Sequence, residues 1–464
     1  MEKKEFLGIM PKIKTQFICS ECGYTSLKWL GKCPGCNSWN TLTETVVSDK
    51  PAQGLTGSKK PAVAVKKISE ISEEQKERFS TGIHELDRVL GGGIVGGSLI
   101  LVGGSPGIGK STILLQICQN TSNSKKILYV SGEESERQIK MRANRLGVIS
   151  DNLYLISETD IESVVSCINT LEPDMVIIDS IQTMHRDDIA SSAGSVPQVR
   201  ETTNMLMHIA KQNNISMFIV GHVTKDGALA GPRVLEHMVD CVLYFEGDDR
   251  LSFRILRCVK NRFGSTNEIG VFSMTDKGLE EVENPSAMLL EGRQKDSPGS
   301  AVVSTIEGSR GVLAEIQALV APSGFGNPRR MANGIDYNRF AMLTAVLERR
   351  AQVKLFNSDI YVNVAGGLKI DEPAVDLGIC IAIASAQLDR PISADVVFIG
   401  EVGLNGELRT VSQLTKRLSE AAKMGFKTAV VPKQALKNIT VPKEIKAVGI
   451  SALYEAIKIL RAGE

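Results

Sequence analysis

The octapeptide GSPGIGKS at residues 104–111 constrains the fold of this chain more than any other feature of its sequence. It matches the pattern Gly-x4-Gly-Lys-Ser/Thr and lies between an apolar run, SLILVGG, and a segment of helical character, STILLQICQN. Glycines at these positions let backbone N–H groups wrap a phosphate at the N-terminus of the helix. The motif therefore predicts a strand–loop–helix unit that binds a nucleotide.

The side chains of this loop have distinct expected roles in binding ATP and Mg²⁺. Lys110 is expected to reach the β- and γ-phosphates, Ser111 to ligate Mg²⁺, and Thr112 to cap the helix or approach the α-phosphate. The backbone cradle around the phosphates consists of Gly104, Ser105, Pro106, Gly107, Ile108 and Gly109.

Acidic residues at the ends of two other apolar runs complete a predicted hydrolytic site. Asp179 ends the run DMVIID and can hold the magnesium shell. In YVSGEES, Glu133 is the choice for positioning the attacking water, with Glu134 as the helix-capping alternative. His222, at the end of SMFIVGH, either senses the γ-phosphate or is a packed or capping residue.

Apolar runs alternate with helix-length segments from residue 79 to residue 285. This alternation predicts an α/β motor with a mostly parallel sheet and helices on both faces. Residues 48–78, which include SDKPAQGLTGSKKPAVAVKK, are interpreted as a linker, because they are rich in Pro, Gly, Ser and Lys. Residues 290–464 form a further unit of mixed strands and helices.

A cysteine module occupies residues 1–47. Cys19, Cys22, Cys33 and Cys36 have the spacing C-x2-C-x10-C-x2-C. Two such paired thiolates complete a tetrahedron around a structural Zn²⁺, with iron as the chemical alternative. The other cysteines are predicted to be small buried apolar residues: Cys118, Cys167, Cys241, Cys258 and Cys380.

The chain has 464 residues, a net charge of +1 and no apolar run of about 18 residues. No apolar signal-peptide core follows its first residues. A cytoplasmic location with no membrane contact is therefore expected, and any binding of DNA must rely on local basic patches.

Several long stretches resemble one known family. STGIHELDRVLGGGIVGGSLILVGGSPGIGKST is similar to the nucleotide-binding entry of RecA-type ATPases. GHVTKDGALAGPRVLEHMVDCVLYFEGD, KNRFG and the cysteine module resemble the RadA (Sms) family of bacterial DNA-repair proteins, and residues 290–464 resemble the proteolytic domain of Lon.

The resemblance implies a RecA-like ATPase core between a zinc module and a Lon protease-like α+β domain. It also implies a DNA-dependent ATPase, assembled as a homohexameric ring, that acts on single-stranded and branched DNA. On this resemblance, the protein would promote branch migration and process recombination intermediates. Recombination proteins such as RecA would be its partners. The loop after His222, with Lys225 and Arg233, is a candidate DNA contact.

Two cations in KNRFG, Lys260 and Arg262, are predicted to project from the same face of a strand. In a ring of RecA type they could reach the γ-phosphate held by the neighbouring subunit. The alternative interpretation is a basic DNA contact or a salt-bridged strand.

The Lon-like unit is predicted to lack peptidase activity. Lon-type proteases use a serine and a lysine, but Asp376 occupies the serine position, and Thr415 and Lys416 fall near the expected lysine. Its basic residues could line a duplex-binding surface: Arg310, Arg329, Arg330, Arg339, Arg349, Arg350 and Lys354.

Two rival functions remain open at this point. The first is an ATP-gated module that loads other recombination proteins onto DNA without translocating. The second is an ATP-dependent protease, which Asp376 disfavours.

Overall fold

The computed structural model describes residues 14–19, 24–35, 39–47, 78–222, 234–247, 253–295, 297–324 and 328–462. The chain divides into two compact units. The first comprises Met1–Thr266 and Phe272–Glu281, and the second comprises Asn267–Val271 and Val282–Glu464. No helix in the described part of the chain is long and apolar enough to cross a lipid bilayer.

The cysteine module is built on a small antiparallel sheet. Its strands, in the spatial order β2-β1-β3, are β1 (Lys14–Cys19), β2 (Thr25–Ser26) and β3 (Leu42–Val47). Cys19, Cys33 and Leu42 are buried together, with Phe17 packed against them. So small a core cannot supply much stability, which is a common reason for a metal in modules of this size.

A two-stranded ribbon, β4 (Arg78–Phe79) and β5 (Ile94–Val95), precedes a nine-stranded sheet. The nine strands are β6 (Leu99–Gly104), β7 (Ile127–Ser131), β8 (Leu153–Ser157), β9 (Met175–Asp179), β10 (Ser216–His222), β11 (Cys241–Glu246), β12 (Phe253–Asn261), β13 (Ile269–Thr275) and β14 (Gly278–Glu281).

The spatial order of this sheet is β14-β13-β12-β11-β6-β10-β9-β7-β8. The six strands from β11 to β8 are parallel, whereas β12 runs antiparallel to β11, and β14 antiparallel to β13. Because parallel strands end at the same edge, the loops after β6, β7, β9 and β10 meet there. The predicted α/β fold with a mostly parallel sheet is confirmed.

Helices cover both faces of the sheet, and alternate side chains of each strand enter two separate cores. The helices are α1 (His84–Leu90), α2 (Lys110–Thr121), α3 (Glu136–Arg145), α4 (Ile161–Leu171), α5 (Val196–Asn213) and α6 (Val234–Met238). On β6, Ile100 and Val102 pack with α1–α3, and Leu99 and Leu101 pack with α4–α6.

Cys167 is an exception to the expectation that the scattered cysteines are buried. It is exposed on α4, whereas Cys118, Cys241, Cys258 and Cys380 are buried. The buried face of α4 carries Ile161, Val164 and Ile168, so the helical period turns position 167 to solvent.

The second unit is α+β. After α7 (Pro285–Leu289), its mixed sheet consists of β15 (Ser300–Glu307), β16 (Arg310–Pro322), β17 (Arg330–Asn333), β18 (Ser358–Val364), β19 (Val396–Phe398), β22 (Thr428–Pro432) and β23 (Lys446–Ile450). A ribbon, β20 (Glu401–Val402) and β21 (Leu408–Arg409), and four helices complete it: α8 (Tyr337–Arg350), α9 (Asp376–Leu388), α10 (Leu414–Lys423) and α11 (Leu453–Ala462).

The spatial order of this second sheet is β17-β18-β16-β15-β19-β22-β23. The first ten residues of α9, Asp376 to Ser385, are all buried, so this helix lies at the centre of the unit. A helix that is apolar on all sides belongs in a core, and its one charge there must be paired.

Candidate functional site

The phosphate-binding loop lies between β6 and α2 and is open at its tip. Ser105, Pro106 and Gly107 are exposed, whereas Ile108 is buried and anchors the loop. Gly107 has φ 79°, and a Cβ built on it would touch no atom within 4 Å. Its backbone therefore faces free space of the kind that a phosphate group needs.

Lys110, the first residue of α2, closes one side of this loop. Its Nζ donates hydrogen bonds to the carbonyl oxygens of Gly104 at 2.8 Å and Ser105 at 2.9 Å. Burial lowers the pKa of Lys110, while the carboxylates of Asp179 and Glu133 act in the opposite direction. Ser111 and Thr112 follow on the first turn of α2, both half-buried. A bound polyphosphate would supply the counter-charge that this buried ammonium needs.

Asp179 ends β9 beside Ser131 of β7. Its Oδ2 accepts a hydrogen bond from the Tyr129 hydroxyl at 2.5 Å. Burial raises the pKa of Tyr129 well above its usual range, so Tyr129 stays a neutral donor. Within the described residues Oδ1 has no hydrogen-bond partner, and hard oxygen atoms of this kind suit Mg²⁺.

Glu133 is held through one of its two carboxylate oxygens. Its Oε1 accepts a hydrogen bond from Ser180 Oγ and lies 2.9 Å from His222 Nε2. The hydrogen bond with His222, more than that with Ser180, lowers the pKa of Glu133 to about 2. No described residue donates to Oε2, which leaves this oxygen for a water molecule.

Glu134 does not cap α3, as the alternative interpretation required. Ser135 is the N-cap residue, and it forms a capping box with Gln138. The side chain of Glu134 instead forms an ion pair with Arg142. The carboxylate of Glu134 thus stabilises α3 through Arg142, whereas that of Glu133 lies at the edge of the sheet that carries the phosphate-binding loop.

His222 ends β10 directly beside Gly104 of β6. Its Nε2 faces Glu133, and its Nδ1 is buried without a hydrogen-bond partner among the described residues. His222 therefore contacts Glu133, the carboxylate that is predicted to position water. The loop with Lys225 and Arg233 lies outside the described residues.

Lys260 and Arg262 lie close together, and burial and then the nearby positive charge of Arg262 lower the pKa of Lys260. The register between β11 and β12 shifts at Val242 and Leu243, which leaves Val259 as an extra residue opposite them. Lys260 Nζ donates to the carbonyl oxygens of Glu236, His237 and Val239 at 2.7, 3.1 and 2.8 Å. Lys260 therefore caps the C-terminus of α6 and is not available to a nucleotide.

Arg262 lies just beyond β12, and its side chain is 54% exposed. Its Nη1 is 3.3 Å from Oδ1 of the buried Asp240, which also pairs with Lys211. Because Asp240 balances two cations, the guanidinium keeps positive charge to offer to an outside anion.

Strand register places Arg262 far from the nucleotide loop of its own chain. Asn261 pairs with Cys241, and Cys241 pairs with Ile100 near the start of β6. The loop begins at Gly104, four residues along the strand, which corresponds to about 13 Å. Arg262 and the phosphate-binding loop thus occupy opposite edges of the same sheet.

The turn after Arg262 depends on a close approach of two backbones. A Cβ on Gly264 would lie 3.3 Å from Gly91 Cα, while the Asn261 side chain donates to the Leu90 carbonyl at 3.1 Å. Asn261 thus points away from Arg262, as expected. Gly264 is required by this contact, and not by a left-handed backbone.

The described part of the cysteine module fits a thiolate metal site. Cys19 and Cys33 are buried, and the Gly35 backbone N–H donates to Cys33 Sγ at 3.3 Å. Backbone donors to sulfur stabilise a thiolate ligand. Cys22 and Cys36 lie outside the described residues.

Both carboxylate oxygens of Asp376, in the second unit, accept hydrogen bonds. Arg339 donates to it from Nε at 3.0 Å and from Nη2, and the Val402 N–H donates at 3.1 Å. The ion pair raises the pKa of Arg339. Because this ion pair occupies its guanidinium, Arg339 is not available to bind duplex DNA.

The side chains at the position expected for a protease lysine also have partners within the second unit. Lys416 points outward and donates to the Ser309 carbonyl at 3.3 Å. Its neighbour Arg417 is fully buried and forms a two-pronged ion pair with Glu372, at 2.7 and 2.6 Å. The charged groups at this end of α9 and α10 thus bind carbonyl and carboxylate oxygens of their own unit.

Sequence reasoning missed the side chains that orient these charges. Tyr129 begins the segment YVSGEES, Ser180 follows Asp179 directly, and Asp240 lies within the stretch 221–248, but their residue types and positions alone predict no role for them. Their contacts depend on which strands are neighbours, and this order is not readable from one sequence.

Three family models match parts of the chain. An AAA domain covers residues 66–228, a rubredoxin metal binding domain covers 17–44, and a model of subunit ChlI of Mg-chelatase covers 338–435. The match at 17–44 contains all four clustered cysteines.

Curated relatives match over nearly their full length. A protein named DNA repair protein RadA from Halalkalibacterium halodurans is 53% identical over 453 residues, which is 97% of this chain and 99% of the relative. The proteins of the same name from Listeria monocytogenes and Bacillus subtilis are 53% and 52% identical, and cover 96% and 98% of this chain and 98% and 100% of their own lengths.

Proposed function

This chain belongs to the RadA family of DNA repair proteins, and we propose that it is a DNA-dependent ATPase that remodels branched recombination intermediates. The observation that carries the proposal is the edge of the parallel sheet where Lys110, Asp179 and Glu133 meet. Membership of the family and the AAA domain make it a DNA repair ATPase. The coupling of hydrolysis to DNA movement is the proposed part.

We assign the nucleotide contacts to the loop and to the two strand ends beside it. Lys110 would turn from its loop carbonyls to the β- and γ-phosphates, and Gly104–Gly109 would hold them through backbone N–H groups. Ser111 and Asp179 would hold Mg²⁺, which neutralises charge on the phosphates when bound.

We assign the positioning of water to Glu133. A water molecule can donate to Oε2 because Ser180 and His222 both occupy Oε1. The low pKa keeps the carboxylate ionised at neutral pH, so it always accepts. His222 would then act through Glu133 and not as a direct contact of the γ-phosphate.

Arg262 would act on the nucleotide of a neighbouring subunit. It cannot reach its own loop at the opposite edge of the sheet, so a ring in which one subunit's Arg262 edge faces the next subunit's loop suits this geometry. A cation supplied in this way neutralises transition-state charge. Lys260, which caps α6, would position the segment that carries Arg262.

The rest of the proposal, on domains, assembly, partners and location, rests on membership of the family. We propose a zinc module at 1–47, a linker at 48–78, a motor at 79–285 and a proteolytically inactive Lon-like domain at 290–464. A homohexameric ring, cooperation with recombination proteins such as RecA, and a cytoplasmic location complete the proposal. Stoichiometric zinc, lost in Cys19→Ser but kept in Cys167→Ser, would test the metal assignment.

The deciding experiment measures ATP hydrolysis and strand displacement on forked DNA. Single-stranded DNA should raise the hydrolysis rate, forks should be unwound, and Lys110→Ala should lose both activities while it remains folded. DNA stimulation without any unwinding would favour the rival function of a loader. Hydrolysis indifferent to DNA would contradict the proposal.

A further inference from the structure

The only two tryptophans of the chain lie on the surface of the cysteine module. Trp29 is 54% exposed and Trp39 is 70% exposed. Burying an indole ring contributes strongly to folding and binding. A chain with two such rings that leaves both in solvent, within eleven residues of each other, has an apolar surface available for a ligand.

The two rings converge on one glycine. A Cβ built on Gly31 would lie 3.7 Å from Trp29 Cη2 and 3.8 Å from Trp39 Cζ3. The Asn40 N–H donates to the Gly31 carbonyl at 2.8 Å, and Lys32 forms an antiparallel bridge with Trp39. Since Gly31 has no side chain, nothing from it stands between the rings. We call Trp29, Gly31 and Trp39 the indole platform.

Two exposed cations flank the indole platform. Lys32 Nζ lies 5.8 Å from the centre of the Trp39 ring, and Lys28 directly precedes Trp29. The turn at Lys28 is fixed, because Ser26 Oγ accepts from the Lys28 N–H at 3.2 Å and donates to its carbonyl at 2.7 Å. Residues 24–35 and 39–42 contain no acidic side chain.

Two exposed indole rings that approach the same glycine, with cations beside them, fit a single-stranded nucleic acid. Every base offers a flat π-face for stacking, and the lysines can meet the phosphates between bases. A peptide partner would also accept aromatic contacts, but it would not need two cations at the rim of the rings. We propose that the indole platform binds unpaired bases of single-stranded DNA by stacking, at a site separate from the ATPase motor.

Intrinsic fluorescence tests this proposal directly, because every tryptophan of the full-length chain belongs to the platform. Titration with oligothymidylate should quench the emission, with or without ATP and also in Lys110→Ala. An abasic oligonucleotide of equal length should bind through its phosphates without the same quenching. Equal quenching by the abasic strand, or none at saturation with oligothymidylate, would overturn the proposal.

Variants separate stacking from general apolar contact. Trp39→Ala should weaken oligothymidylate binding on the order of tenfold, whereas Trp39→Phe, which keeps a ring, should restore most of it. The matched control is Leu27→Ala, because Leu27 is 76% exposed in the same module. Zinc content and circular dichroism verify folding of each variant. An equal loss in Leu27→Ala and Trp39→Ala would overturn base stacking in favour of an apolar protein contact.

Discussion

Glu133 in the first unit and Asp376 in the second show two opposite treatments of a carboxylate. Glu133 is 41% exposed and is held through Oε1 alone. Asp376 is buried, and both of its oxygens accept hydrogen bonds. An oxygen left open can orient water, whereas a fully occupied carboxylate can only hold neighbouring groups in place. The oxygen left without a hydrogen bond, and not acidity alone, is therefore what suits Glu133 to the proposed role of positioning water.

The largest effect is expected for Arg262→Ala, which removes a cation from the edge opposite the nucleotide loop. If it acts in the next subunit, ATP hydrolysis should fall by about 10³–10⁵-fold. Arg257→Ala is the matched control, because Arg257 lies on the same strand beside Glu246. It should hydrolyse ATP at nearly the normal rate.

Mixing Arg262→Ala with Lys110→Ala subunits then tests action between subunits. Some interfaces would pair an intact Lys110 with an intact Arg262, so part of the hydrolysis should return. Failure at every mixing ratio, with subunit exchange verified, would contradict this role. Normal basal hydrolysis with lost DNA stimulation in Arg262→Ala would assign Arg262 to DNA.

Glu133→Gln tests whether Oε2 of Glu133, which accepts no hydrogen bond from a described residue, positions water. The amide keeps the shape but accepts weakly, so hydrolysis should fall by roughly 10²–10⁴-fold while ATP binding persists. Glu134→Gln is the control, because this neighbouring carboxylate pairs with Arg142. Similar rates for the two variants would show that Glu133 does not position water.

Asp376→Ser tests the closed carboxylate. Removal of Asp376 leaves Arg339 with only Glu401, 4.0 Å away, as a counter-charge. The second unit should therefore lose about 3 kcal/mol of unfolding free energy in urea titrations, the low end for a broken buried pair. No peptidase activity should appear, because neither Lys416 nor Arg417 is placed to activate a serine. Cleavage of casein by the unmodified chain, abolished by Asp376→Ser, would reverse this view.

The smallest effect concerns pH. The pKa of Glu133 is lowered, so its contribution to stability is complete above its unfolded-state pKa and is lost as the pH falls towards about 2. In His222→Gln, the loss should begin at a higher pH, because the main cause of the lowered pKa is weakened. When the carboxyl resonance of Glu133 is followed by NMR during acid titration, its midpoint should shift to a higher pH in this variant. An unchanged midpoint would show that His222 does not hold the carboxylate.

Much of the larger sheet was predictable because its parallel strands are buried on both faces. Such strands are continuous apolar runs, as in SMFIVGH, and the observed β10 spans the same residues, Ser216–His222. The loop at 104–111 was predictable because its spacing demands one local structure.

Other features depend on neighbours that the sequence does not reveal. A period of two predicted that Lys260 and Arg262 share a face, but it did not reveal that Lys260 Nζ binds carbonyl oxygens at the end of α6 while Arg262 pairs with Asp240. Ser180 and His222 meet at Glu133 only because β9 lies between β7 and β10. Strand order and bulges are properties of the packed sheet and leave no local sequence signal.

The pair of Arg339 and Asp376 also limits how this domain can change over generations. Substitution of Arg339 alone leaves the buried Asp376 carboxylate without a counter-charge, and substitution of Asp376 alone leaves Arg339 with only the more distant Glu401. A loss of about 3 kcal/mol is a large share of the roughly 5–15 kcal/mol that keeps a typical domain folded. A lineage that carries the pair would therefore have to replace both residues almost together to free position 376. The ion pair thus couples the two positions, so that a change at one is tolerated without this loss only when the other changes as well.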